Sequence, residues 1–129
     1  MRCTNKDICI FQWLSAQYIS MSEQTKSEPI VVYITAPDEE AEGLARALVE
    51  AKLAACVNMV SNVRSIYSWQ GKIEDDRELL MIIKTQRHLF DRLAAKVREI
   101  HSYDVPEIIA LPIIEGSPDY LRWLRESTD

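Results

Sequence analysis

Three features of the 129-residue sequence predict an α+β sandwich of order βαββαβ with an added C-terminal helix. Short β-branched runs stand near both ends of the chain. Two segments repeat their apolar residues at helical spacing. Between them lie two long strand-like segments joined by Gln70-Gly71.

The first strand is IVVYIT, residues 30–35. Its consecutive apolar positions predict burial on both faces. Pro37 and Asp38 end it and open a helix. Asp38, Glu39, Glu40 and Glu42 crowd the helix start, where the helix dipole favours anions. Leu44, Ala45 and Leu48 share one side of that helix, and Lys52 lies near its end.

Residues 55–69 and 72–85 read as the arms of a hairpin, each of about 14 residues or roughly 45 Å. Gly71 accepts the positive φ a tight turn demands. Odd positions of the first arm carry Val57, Met59, Val63, Tyr67 and Trp69. Alternation falters around Val60–Asn62, which predicts a bulge there.

Residues 88–101 read as the second helix, with Leu89, Leu93 and Val97 beside Phe90, Ala94 and Ile100. Residues 105–114 read as a fourth strand. Pro106 and Pro112 put it at a sheet edge or end it early. Ser117 is the expected cap of a last helix over 116–127, with Pro118 in its first turn. Crossovers through two helices around one hairpin describe a ferredoxin-like split βαβ sheet.

Composition narrows the function. Apolar residues are 47% of the chain, enough for one core. A net charge of −5 disfavours nucleic-acid backbones as partners. No apolar run reaches the roughly 20 residues of a membrane-spanning helix. Cys3, Cys9 and Cys56 have no paired spacing, so a reducing cytoplasm is expected. Residues 1–28 read as an extension outside the domain at 29–129, either disordered or the product of a start upstream of Met21. A secretory signal is disfavoured because Gln12, Ser15 and Gln17 interrupt its apolar stretch.

A ferredoxin-like sheet carries helices on one face. Strands 30–35, 79–83 and 107–114 are apolar at both parities, so the other face would be bare hydrocarbon. Burying one such side chain is worth about 1.5–3 kcal/mol, and monomers rarely expose such a patch. A second face covered by copies of the same chain is therefore expected. Lys72–Glu78 would overshoot the core and stay wet, lying along a neighbouring copy.

TAPDEEAEGLARALVEAKLAACVN, IYSWQGKIEDDRELLMIIKT, HSYDVPEII and DYLRWL occur in this order. With them, the chain resembles the CutA divalent-cation tolerance proteins over about residues 29–127. That resemblance implies small cytoplasmic homotrimers, similar in architecture to the PII signalling proteins, and a role in tolerance to copper and other divalent cations. It also implies copper ligands: a Cys in the first strand and a His pair after the second helix. Those positions hold Ile34, Ile100 and His101 here, so only His101 survives.

His101 and Cys56 are accordingly the candidate metal ligands. His88 lies 13 positions from His101, about 20 Å along a helix, too far to share an ion. Glu74, Asp75, Asp76 and Glu78 offer oxygen donors, but strand alternation splits Asp75 from the rest. They read as solvated, edge-protecting charges. Tyr67, Trp69, Lys84, Tyr103 and Glu107 fall in the matched motifs and are the candidates for a cleft between subunits, with Lys84 and Glu107 expected to pair.

No convincing nucleophile–base pair or Gly-rich phosphate loop is present, so no enzyme is predicted. The leading expectation is a non-enzymatic metal-binding or sensor protein. The alternative is a PII-like adaptor that binds a small anion in the cleft and meets a protein partner through its hairpins.

Overall fold

The computed structural model describes residues 28–129; the readings of residues 1–27 lie outside them. The elements are β1 (Pro29–Ala36), α1 (Asp38–Glu50), β2 (Cys56–Trp69), β3 (Lys72–Gln86), α2 (Phe90–Ile100), β4 (Ile108–Pro112) and α3 (Pro118–Glu126). A 3-10 turn at Arg87–Leu89 leads into α2. The four strands form one antiparallel sheet in the order β2-β3-β1-β4. This is the ferredoxin-like arrangement, with β4 at an edge; the strand is shorter than the expected 105–114, ending at Pro112 and leaving Pro106 in the loop before it.

One sheet face packs on α1 and α2. Ile30, Val32 and Ile34 of β1 and Leu79, Met81 and Ile83 of β3 meet Leu44 and Leu48 of α1 and Leu93 and Val97 of α2. Thr85 is sealed in this layer, and its hydroxyl donates to the Leu53 carbonyl at 2.6 Å. Ile100 is exposed and does not join the helix stripe. The last turn of α2 has already rotated it away from the sheet.

The opposite face carries Val31 and Tyr33 of β1, Leu80 and Ile82 of β3, Val60 of β2, and Ile109 and Leu111 of β4. Val60 and Leu111 are 44% exposed and Ile109 48%. Apolar residues at both parities thus lie where the sequence puts them.

One correction concerns the helices. α3 does not join α1 and α2; it packs against β3 and β1 across one end of the second face. Gln86 donates to the Thr128 hydroxyl at 2.6 Å, and Tyr120 stands beside Cys56, both contacts on that side. Leu124 of α3 is fully buried, yet outside the main core. The second face is therefore partly covered within the chain itself. Ser117 makes no side-chain cap; its carbonyl accepts from Leu121 N–H and Pro118 occupies the first turn.

The hairpin turn is tight because Gln70 and Gly71 both have positive φ, 50° and 80°, the pattern of a two-residue I′ connection. β1 pairs with β3 only as far as Leu79. Lys72–Glu78 and its β2 partners therefore project alone, by roughly 23 Å.

The expected bulge is present. Val60 pairs with Leu80 and Val63 with Glu78, so β2 spends one extra residue there. Asn62 absorbs it at φ 62°, a conformation Asn tolerates better than most residues. Before the bulge the even residues of β2 share the second face; after it the odd ones do. Ser65, Tyr67 and Trp69 consequently stand on the same side as Asp76 and Glu78.

Candidate functional site

These side chains border a groove of about 680 Å³ beside the root of the projecting hairpin. Ser65, Tyr67 and Trp69 of β2 and Glu78 of β3 line one side. The loop after α2 lines the other, through Tyr103, Asp104 and Glu107. Three of the expected cleft residues from β2 and the loop, Tyr67, Trp69 and Tyr103, thus meet there together with Glu107.

Lys84 does not. It pairs with Val31 and Cys56 at the far end of β3, while Glu107 adjoins Ile108, the partner of Ile34. The separation along the strands alone is about 10 Å or more. Lys84 donates instead to the Asn58 side chain, so the expected Lys84–Glu107 ion pair is absent from the chain.

His101 holds the loop in place. It is 7% exposed, and its Nδ1 accepts from the Tyr103 N–H at 3.1 Å. Nδ1 is then unprotonated, so the proton sits on Nε2, which donates to the Thr35 carbonyl at 2.9 Å. The imidazole also rests on the Tyr103 ring, with centroids 4.7 Å apart. Both ring nitrogens are occupied by backbone, which leaves no lone pair for a metal. Ser102 adds a tie, donating to Glu40 at 2.7 Å.

Cys56 lies elsewhere. It is half-buried opposite Lys84, its thiol 3.9 Å from the Asn58 oxygen. Thr35, which anchors His101, pairs with Leu80, four residues from Lys84 along β3. One chain therefore keeps the two candidate metal ligands about 13 Å apart along the sheet. Among the described residues no three His, Cys, Asp or Glu side chains gather closely enough to hold an ion.

Alternation splits the hairpin acids as expected. Asp75 points to the far side and forms a two-pronged pair with Arg64 at 2.6 and 2.8 Å, which holds its carboxyl below the usual range. Asp76 accepts from the Tyr67 hydroxyl at 2.5 Å. Glu78 accepts from Ser65 at 3.1 Å and from Tyr103 at 3.2 Å.

Glu78 is the residue that sequence reasoning assigned to the wet tip and not to the cleft. It is only 6% exposed. Its parity with Tyr67 was the available signal, since the two-residue turn at Gln70-Gly71 already sets Tyr67 opposite Glu74 and Val63 opposite Glu78. The carboxylates act on both phenols. The bond to Asp76, then burial, pushes Tyr67 up to about 12. Burial and the nearby Glu78 charge push Tyr103 up to about 12. Both hydroxyls therefore stay protonated donors at neutral pH.

Comparison with known proteins agrees with this architecture. The family described as CutA1 divalent ion tolerance protein matches residues 30–127. The divalent-cation tolerance protein CutA of Thermus thermophilus is 56% identical over 99 residues, covering 76% of this chain and 96% of that protein. The chloroplastic protein CutA of Arabidopsis thaliana is 52% identical, covering 85% of this chain and 62% of its own longer sequence. Among solved structures, CutA1 from Oryza sativa superimposes with a TM-score of 0.78 at 49% identity, over 81% of this chain and 97% of that one.

The periplasmic divalent cation tolerance protein CutA from Archaeoglobus fulgidus gives a TM-score of 0.76 at 43% identity, over 78% of this chain and 99% of that one. None of these names is that of an enzyme, and their compartments differ. No helix among the described residues is long and apolar enough to cross a membrane. With sequence match, sheet order and superposition in agreement, the chain belongs to the CutA1 divalent ion tolerance family.

Proposed function

We propose that this protein serves divalent-cation tolerance as a non-enzymatic, cytoplasmic homotrimer, and that the groove around Tyr67, Trp69, Tyr103 and Glu107 is its binding cleft. The observation that carries the assembly is the second sheet face. α3 covers one end of it, and Val60, Ile109 and Leu111 remain about half exposed on the rest. Copies of the chain would bury that remainder and bring a neighbour up to each projecting hairpin. The cytoplasmic placement rests on cysteines without paired spacing. The alternative, an adaptor for a small anion, gains nothing from a groove whose charged lining is entirely acidic.

Copper held directly would use Cys56, since His101 has committed both nitrogens. A soft site also needs further donors, which neighbouring copies would supply. Native mass spectrometry before and after copper loading tests both parts. A three-subunit mass is expected, with bound copper lost in Cys56→Ser and kept in His101→Ala. A single-chain mass overturns the assembly. Equal copper in wild type and Cys56→Ser overturns the thiol as ligand.

A further inference from the structure

Glu78 poses a problem that the single chain leaves open. A carboxylate this buried normally faces a cation, because desolvating an unpaired charge is costly. Its two donors, the Ser65 and Tyr103 hydroxyls, are both neutral. Among the described residues it has no ion pair with Lys, Arg or His. Each oxygen accepts one bond and retains further acceptor capacity.

The rest of the groove has the same sign. Its charged lining residues are Glu78, Asp104 and Glu107, with no basic side chain. Asp76 adds a further negative charge behind Tyr67. Beside these stand the aromatic surfaces of Tyr67, Trp69 and Tyr103. Aromatic faces attract cations, and carboxylates strengthen that attraction.

A bare divalent ion fits this lining poorly. Calcium wants six to eight converging oxygens and magnesium a near-octahedral set. Among the described residues no such group converges. A cavity of about 680 Å³ is also far larger than a coordinated ion fills. It is the size of an organic ligand site.

We propose that the groove binds an organic cation, an ammonium group on an apolar or aromatic body, with Glu78 as counter-ion and Trp69 and Tyr67 against the body. This assignment rests on reading the groove as the binding cleft. Raised tyrosine pKa values agree with it, since the same carboxylate field that disfavours tyrosinate favours ammonium.

The full-length protein is titrated calorimetrically with phenethylammonium, neutral phenethyl alcohol and phenylacetate, three probes of matched body and different charge. The ammonium probe should bind at least about ten-fold more tightly than the other two. Glu78→Gln should weaken it by about ten-fold or more and leave the alcohol unchanged. Glu107→Gln, at an exposed position that tolerates substitution, should weaken it to a smaller degree.

Equal binding of the alcohol or phenylacetate overturns the assignment, as does no binding of the ammonium at millimolar concentration. Unchanged affinity in a folded Glu78→Gln overturns Glu78 as the counter-ion. A native mass spectrum of the same sample keeps the two readings apart. A trimer that ignores the ammonium sinks the ligand class alone, whereas a monomer sinks the assembly.

Discussion

Ile109→Asp separates a covered sheet face from a bare one. Ile109 lies on β4 opposite Tyr33 and is 48% exposed in the single chain. Fully burying an isoleucine is worth about 1.5–3 kcal/mol, so roughly 1 kcal/mol is left for a neighbouring copy to gain. A carboxylate in its place loses that gain and adds an uncompensated buried charge, about 3–5 kcal/mol.

The sum is about 4–6 kcal/mol per subunit, counted three times in a closed trimer. At about 1.4 kcal/mol per power of ten, the association constant should fall by roughly eight powers of ten or more. Sedimentation velocity at micromolar concentration should then show wild type as a trimer and Ile109→Asp as single chains. On a bare surface the same change would stay within about 1 kcal/mol. A variant that sediments with wild type and melts at the same temperature would refute the covered face.

Three further outcomes are expected. Thr85→Val removes the donor to the Leu53 carbonyl in the sealed layer and should cost about 1–3 kcal/mol in urea unfolding. Leu93→Ala, at a fully buried α2 position, should cost about 2–5 kcal/mol at fixed protein concentration. Tyr67 and Tyr103 ionise near 12 in the fold against 10.0 ordinarily. The unfolded chain therefore loses those protons first, and stability, complete below pH 10, should fall as pH rises from 10 to 12. Absorbance at 295 nm should show late-ionising tyrosines, with one fewer in Tyr67→Phe.

Local chemistry made most of the fold legible in the sequence. Gln70-Gly71 could only be a turn, and a strand holding Pro112 belonged at an edge. Leu89, Leu93 and Val97 fixed the buried side of α2 by spacing alone. What escaped was set by packing between distant segments. Nothing in the period of 118–126 says which sheet face α3 will cross. Lys84 shares motif company with Tyr67 and Trp69, yet the antiparallel register carries it to the other end of β3. Glu78 was misplaced because it ends a charged run, and only the distant loop that carries Tyr103 closes over it. His101 looked like a ligand by type. Only the Thr35 carbonyl and the Tyr103 amide reveal it as a brace.

The single extra residue in β2 leaves the pairing of the outer hairpin untouched. Deleting Asn62 would set Ser61 opposite Leu79 in a regular ladder while Val63 still met Glu78, so Ser65, Tyr67 and Trp69 would keep their side. What would go is the bend and added twist that a bulge gives its strand. One lost codon would thus re-aim the aromatic wall of the cavity along a straighter course while leaving its charge, and every core contact near α1 and α2, intact.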